Sequence, residues 1–242
     1  TYIFERGGGQ DVIEDNYFEV FKESFDTLKL GAGITADDIR IVREGASSTV
    51  TLEIKDSADS VTLQNQFRLT TVGLFFLRHD SVDRISFSDG TSWDMDRLAR
   101  MILTVASTDG NDTIYGFDWN DTLDGGAGDD RLEGGALSDR YVFAEGYGND
   151  VIFDNVSFTR LLTPAGYDSL ELTNIALNDV TFSRFKNDFT ITLKSTGETV
   201  TIEGQYDRLA DNEIEQIIFS DRTVPNTDLN PEDIDLIGTS GD

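Results

Sequence analysis

Between Ser107 and Asp154 the chain carries twelve Asp or Glu against two Arg and no Lys, and the acids fall in step. Read in nines from Ser107, the blocks are STDGNDTIY, GFDWNDTLD, GGAGDDRLE and GGALSDRYV. The sixth residue of each is Asp (Asp112, Asp121, Asp130, Asp139) and the eighth is apolar (Ile114, Leu123, Leu132, Tyr141). A further loop, GYGNDVI, repeats the pattern two residues late, with Asp150 and Ile152. Carboxylates this dense repel one another, so a compact state needs either a loose, solvated loop or a bound cation of high charge. Four acids and four apolar residues in one phase favour the cation over the solvated loop. Hard cations such as calcium take oxygen ligands from carboxylates and carbonyls in flexible geometry. Glycine lets a tight loop turn its carbonyls inward, because without Cβ it adopts positive φ.

The elements that must hold these acids are short. The x-apolar-x triplet after each loop reads as a three-residue strand whose central side chain stacks on its neighbours. A longer period lies beneath the nines: TYIFERGGGQDVIED at the start matches RYVFAEGYGNDVIFD at 140–154, pairing Tyr2 with Tyr141, Phe4 with Phe143, Gly9 with Gly148, Asp11 with Asp150 and Ile13 with Ile152. Downstream, 26–41 matches 168–182, SVTLQNQF matches TVTIEGQY, and DRISFSDGT matches EQIIFSDRT, while STDGND at 107 resembles GTSGD at 238. The offset is 139 residues at the opening and at SVTLQNQF, before Arg68–Ser81, and 132 after it, so that segment is unmatched in the second copy. Period-two alternation at Val50, Leu52 and Ile54, and at Phe189, Ile191 and Leu193, predicts half-buried antiparallel strands. SerThrGlyGlu at 195–198 reads as a hairpin turn. Each copy is expected to end in a short helix, capped by Asp94 in the first and opened by Pro231 after Asn230 in the second.

The nonapeptides resemble the GGxGxDxUx repeat of haemolysin-type calcium-binding (RTX) proteins, which winds into a parallel β-roll holding calcium between successive loops. The resemblance implies ligands at Ser107, Asp109 and Asp112; Gly116, Asp118 and Asp121; Gly125, Ala127 and Asp130; Gly134, Ala136 and Asp139; and at Asp150. Asp15 and Asp154, after the closing loops, either give an extra oxygen to the last calcium or simply start turns. Because two nonapeptides make one coil, Asp112, Asp130 and Asp150 should line one edge and Asp121 and Asp139 the other. GGAGDDRLE fits every position, whereas Trp119 and Leu137 stand where a loop glycine belongs. The Asp121–Asp139 edge is therefore expected to be the weaker, and roughly two to four ions would be shared between neighbouring loops. Asp11, whose coil is not in the chain, is expected to be a poorer ligand.

With its Y-x-F-x-x-G-x-G-x-D-x-I opening, each long copy resembles the haemolysin-type calcium-binding related domain of RTX proteins. The expected fold is all-β: a parallel β-roll flanked by two antiparallel β-rich modules, each ending in a short helix. The boundaries drawn are 1–15, the closing cap of a preceding array; 16–106, the first module; 107–154, the roll with its cap; 155–237, the second module; and 238–242, the start of a next array. Tyr2, Phe4, Tyr141 and Phe143 are expected to form the apolar caps.

A net charge of −27 disfavours nucleic acid and anionic membrane surfaces alike. Cys is absent, which removes disulfides and thiolate sites and leaves packing or metal to supply rigidity. No apolar stretch is long enough to span a membrane, and no charged-then-apolar leader opens the chain. His79, the one histidine, has no nucleophile motif around it and reads as structural. Any two of the 46 acids could be posed as a glycosidase pair, so none is singled out. Trp93 and Trp119 could stack on a sugar but read as packing. LFFL within the unmatched segment reads as core or as a partner patch.

The expected function is a non-enzymatic, calcium-binding structural module of a large secreted bacterial protein. It would fold on calcium outside the cell after export by a type I system, with calcium ions and neighbouring modules of the same chain as partners. The alternatives are an adhesin or surface-layer segment that binds carbohydrate, a cell surface or sister modules, and the non-catalytic part of a secreted hydrolase or toxin.

Overall fold

Residues 1–14, 25–72, 75–79, 82–154, 166–207 and 213–228 are described in a computed structural model of the chain, with backbone alone at 69–72 and 75–79. The chain divides into two compact units, Thr1–Ile102 and Leu103–Asp242. Asp15, the expected second helix after Asn230 and the segment 238–242 lie outside the described residues, as does the side chain of His79.

In the first unit the strands are β1 (Tyr2–Phe4), β2 (Gln10–Ile13), β3 (Thr27–Leu30), β4 (Ile39–Val42), β5 (Val50–Ile54), β6 (Ser60–Leu63), β7 (Arg68–Val72), β8 (Phe75–His79), β9 (Arg84–Ser86) and β10 (Ser92–Asp94). One sheet has the order β1-β3-β9-β10, another β2-β6-β5-β4, and β7 pairs with β8 alone. The alternation read in the sequence holds: Val50, Leu52 and Ile54 are buried and their neighbours Thr51 and Glu53 only half-buried. Of the unmatched LFFL run, Phe75–Leu77 lie on β8, which pairs antiparallel with β7; Leu74 lies outside the described residues. Helix α1 (Met95–Ala106) follows, and the Asp94 carboxylate accepts the Arg97 N–H at 2.7 Å, the expected N-cap.

The second unit contains β11 (Thr113–Tyr115), β12 (Thr122–Asp124), β13 (Arg131–Glu133), β14 (Arg140–Ala144), β15 (Asn149–Ile152), β16 (Ser169–Thr173), β17 (Val180–Phe185), β18 (Asp188–Leu193), β19 (Thr199–Ile202), β20 (Gln216–Ile218) and β21 (Thr223–Pro225). From β11 to β16 the chain alternates strand by strand between two sheets, of orders β11-β13-β15-β19-β18-β17 and β12-β14-β16-β20-β21. Ile114, Leu123 and Leu132, the middle residues of the three-residue strands β11, β12 and β13, are buried, and Tyr141, Ile152 and Leu170 on the longer β14, β15 and β16 are buried with them.

The strands downstream do not form a separate antiparallel module. β16 adds parallel to β14, β19 parallel to β15 and β20 parallel to β16, and antiparallel pairing starts only at β18–β19, β17–β18 and β20–β21. Both sheets therefore continue from residues 107–154 into 166–228. As a consequence Tyr141 and Phe143 are not end caps, because β14 has a neighbour on each side and both side chains are 1% exposed or less.

The long repeat is visible strand for strand: β1-β3-β9-β10 corresponds to β14-β16-β20-β21, and β2-β6-β5-β4 to β15-β19-β18-β17. Small polar devices recur with it. The buried Gln66 amide brackets Val82, donating to its carbonyl at 2.8 Å and accepting its N–H at 3.1 Å, and Gln205 does the same to Ile214 at 3.0 and 2.9 Å. Each amide is thus satisfied where water is absent. Asp38 and Asp179 each accept the N–H of the residue opening a single 3-10 turn, Thr35 and Ala176, as expected for acids that start turns. The SerThrGlyGlu turn joins β18 to β19, with Gly197 at φ +83° donating its N–H to the Leu193 carbonyl.

Candidate metal centre

The nines place their acids in two vertical ladders within the second unit. On one, the Asp112 N–H donates to Asp130 Oδ1 at 2.8 Å and the Asp130 N–H to Asp150 Oδ1 at 3.0 Å. On the other, the Asp121 N–H donates to Asp139 Oδ1 at 2.8 Å, the Asp139 N–H to Asp168 Oδ1 at 2.6 Å, and the Asp168 N–H to Glu215 Oε2 at 2.5 Å. Each rung is a charge-assisted hydrogen bond from one turn to the next, a kind that contributes about 1.5–3 kcal/mol. It also consumes one oxygen of the carboxylate. Asp130 Oδ2, Asp150 Oδ2, Asp139 Oδ2 and Asp154 Oδ2 are buried and accept nothing.

Four orphaned carboxylate oxygens are costly, since an uncompensated buried charge is worth several kcal/mol. They converge most closely at one point. One oxygen from each of Asp139, Asp154 and Asp168 lies within 4.8 Å of the other two. Oxygens bound to one calcium at about 2.3–2.6 Å lie at most about 5 Å apart, so the triangle fits a single ion. The three residues are 2%, 1% and 3% exposed. Tyr141 donates its hydroxyl to Asp154 Oδ1 at 2.7 Å, leaving the other oxygen of Asp154 for the cluster.

The electrostatics follow from that burial. Loss of water, and then the charges of Asp121, Asp154 and Asp168, push the Asp139 carboxyl up to about 10. Asp154 is raised by burial first and by Asp168 next. Burial, followed by the charges of Asp130, Asp129 and Asp124, pushes Asp150 up to about 7, and burial followed by the charges of Asp112, Asp129 and Asp124 raises Asp130. Without a counter-ion, then, burial and mutual repulsion favour the protonated form of each of these groups. The donor set is all oxygen and all anionic, which suits calcium and excludes a thiolate or imidazole preference.

Glycine spacing is explained by contacts between turns. A Cβ on Gly134 would strike Tyr141 Oη and Asp139 Oδ2, one on Gly125 would strike Asp130 Oδ2, and one on Gly116 the Gly134 carbonyl. The carboxylates thus lie against bare backbone. Leu137, where a glycine was expected, adopts φ +71° and keeps the glycine geometry at a cost of about 1–2 kcal/mol. Trp119, in the equivalent place two blocks earlier, is buried with its ring 6.2 Å from that of Phe117 and packs as core. Trp93 is likewise buried, edge-on to Phe87 at 4.6 Å.

Of the other anticipated ligands, Asp112 is half-buried and accepts Thr108 N–H and Oγ1, both at 2.7 Å. Asp121 is buried and accepts the Phe117 N–H. Ser107 donates its hydroxyl to the Gly125 carbonyl at 2.9 Å. Asp118 and Ala127 are half-buried, Ala136 is buried and Asp109 is exposed. Asp11 lies exposed on β2 in the first unit, apart from any cluster of three acids among the described residues. The densest cluster therefore falls on the edge that Trp119 and Leu137 had marked as the weaker. It includes one acid, Asp168, that the nines do not reach.

Residues 50–97 and 188–226 match the family model described as the haemolysin-type calcium binding protein related domain. Two stretches of the chain are thus similar to this domain. The first match runs from β5 into α1 and the second from β18 to the 3-10 turn Asn226–Asp228, so both cover the repeat-specific strands and leave the nonapeptides outside. Glu215 belongs to the second related domain, whereas Asp139, Asp154 and Asp168 precede it. Among solved structures, the crystal structure of the extracellular lipase LipA from Serratia marcescens aligns over 88% of this chain at 12% identity and a TM-score of 0.31. The chain spans 34% of the length of that lipase. No protein with a curated description matches the chain.

Proposed function

We propose that the chain is a calcium-binding structural module of a secreted bacterial RTX protein, in which ions replace the protons on two aspartate ladders and so lock a parallel β-roll to the downstream strands that extend its two sheets. The observation that carries this reading is the set of four buried Oδ2 atoms without a hydrogen-bond donor, at Asp130, Asp150, Asp139 and Asp154. Asp130 and Asp150 would hold an ion on the first edge, together with carbonyls of the Gly125–Ala127 loop. Asp139 and Asp154 would hold one on the second, beside Gly134. What the ion supplies is charge compensation. The residues themselves fix the geometry, each carboxylate being oriented by the N–H of the preceding turn.

The reading is structural and not catalytic, because these carboxylates are built into rungs against backbone and not poised around an open cleft. Extracellular calcium modules bind with constants of about 0.1–1 mM, an affinity that leaves the ladders protonated or loose in a low-calcium cytosol and filled outside it. Ligand at 100 times its dissociation constant adds about 2.7 kcal/mol per site. For a chain of this size that is about 5–10 °C in melting temperature. Calorimetric unfolding of the full chain in calcium and in chelator tests this. A rise of that order with calcium supports the reading, and coincident melts overturn it.

A further inference from the structure

Twenty-nine residues after Asp139, the chain makes one more turn of the second ladder. Gly166-Tyr167-Asp168-Ser169-Leu170 has the glycine-x-aspartate-x-apolar order of Gly110–Ile114, Gly128–Leu132 and Gly148–Ile152. Three contacts repeat with it. A Cβ on Gly166 would meet the Leu137 carbonyl, as one on Gly148 would meet the Gly128 carbonyl. The Tyr167 N–H donates to Ser138 Oγ at 2.9 Å, as the Asn149 N–H donates to Asp129 Oδ1 at 2.8 Å and the Ser138 N–H to Asn120 Oδ1 at 3.0 Å. The Ser169 N–H donates to the Asp139 carbonyl at 2.9 Å, as Val151 does to Asp130 at 2.8 Å. Leu170 then buries fully in register with Tyr141.

Resting on the proposed calcium-binding reading, we infer that Asp168 is a metal ligand outside the nonapeptide array and completes with Asp139 and Asp154 a terminal calcium site that Glu215 of the related domain positions. Two of the three residues of that site carry a buried oxygen with no donor of its own, Asp139 Oδ2 and Asp154 Oδ2. Glu215 acts one step back: its Oε2 accepts the Asp168 N–H at 2.5 Å, and its own N–H returns to the Asp168 carbonyl at 3.0 Å. That reciprocal pair is a property of the domain copy, because the first unit has it too. There the Asp26 N–H donates to Asp83 Oδ2 at 2.5 Å and the Asp83 N–H to the Asp26 carbonyl at 2.8 Å. The related domain therefore terminates an array by extending its last site with an acid pair. Closure of the ion would link folding of the domain to folding of the roll.

The test is a calcium titration of the full chain by calorimetry, comparing wild type with Asp168→Asn and Asp150→Asn, with magnesium alone as a second titrant. Asn keeps the shape and the acceptor for the Asp139 N–H but removes the charge. Asp168→Asn is expected to lose one equivalent of calcium, or to weaken one site at least tenfold, while keeping the site weakened by Asp150→Asn; magnesium should bind far more weakly. If wild type binds calcium and Asp168→Asn binds it with unchanged stoichiometry and affinity, the terminal site is overturned and the ladder reading stands. If wild type binds none, both fall. Should Asp168→Asn lose its cooperative melt in chelator, Asp154→Asn reports on the same site, and undiminished stoichiometry there overturns the assignment equally.

Discussion

The first ladder, Asp112–Asp130–Asp150, steps by 18 and then 20 residues and stays within residues 107–154, whereas the second, Asp121–Asp139–Asp168–Glu215, steps by 18, 29 and 47 and runs on to the residue before β20. The rungs are the same hydrogen bond in both. What differs is how many acids arrive at one place. On both, burial is the first cause and like charge the next: Asp130, Asp129 and Asp124 help push Asp150 to about 7, and Asp121, Asp154 and Asp168 help push Asp139 to about 10. Among the described residues, however, only the second brings three acids, Asp139, Asp154 and Asp168, within 4.8 Å of one another. A regular array keeps its charges one turn apart; an array joined to a domain gathers them. Sequence regularity is therefore a poor guide to where the carboxylates gather, since Trp119 and Leu137 break the motif on the edge where they are most concentrated.

The largest effect should separate the ladders directly. In saturating calcium, Asp139→Ala removes both the acceptor of the Asp121 N–H and a buried ligand, and should destabilise by about 3 kcal/mol or more. Asp112→Ala, at the half-buried start of the other ladder, should cost about 1 kcal/mol. Denaturant unfolding of the two variants checks the order, and a larger loss for Asp112→Ala would invert the comparison.

An intermediate effect concerns pH in chelator. Asp139 and Asp150 titrate in the folded protein above the ordinary carboxylate value of 3.8, so the folded state binds more protons than the unfolded one between about 4 and those raised values. Metal-free stability should consequently fall as pH rises, through about 7 for Asp150 and onward toward about 10 for Asp139. With calcium the slope should reverse, because protons and ions compete for the same oxygens. Melting temperatures at pH 5 and pH 8, with and without calcium, should cross; parallel curves would remove the electrostatic basis of the ladders.

The smallest effect sharpens the account of the irregular edge. Leu137→Gly relieves a left-handed backbone and should raise the melting temperature in calcium by about 2–4 °C, corresponding to about 1 kcal/mol. A decrease would mean that the packing of the half-buried Leu137 side chain outweighs its strain.

Much of this was legible in the residues. The nines located Asp112, Asp121, Asp130, Asp139 and Asp150 and split them correctly between two ladders, because Asp and an apolar residue two positions on mark a turn and its strand. The alternation at Val50–Ile54 and Phe189–Leu193 gave the hairpin strands. What escaped was the joining. Asp168 carries the same Gly-x-Asp-x-apolar signal, but 29 residues separate it from Asp139 and no period reveals it. Pairing partners across such gaps depend on which sheet edge is open, which local alternation does not encode. For that reason β16, β19 and β20 read as parts of a separate module when they extend the roll, and Tyr141 read as a plug when it orients a carboxylate.

Strands β1 and β2 form the outer members of the two larger sheets in the first unit, and Ile3 and Val12 on them are 70% and 63% exposed. Unpaired sheet margins invite copies of a protein to aggregate. Here the margins are three and four residues long, and Glu5, Asp11 and Glu14 flank or interrupt them. With a net charge of −27 on every copy, edge-to-edge stacking would bring strong repulsion across a very short seam. The same excess of acid that demands ions inside the second unit thus works as a colloidal stabiliser at the margin of the first.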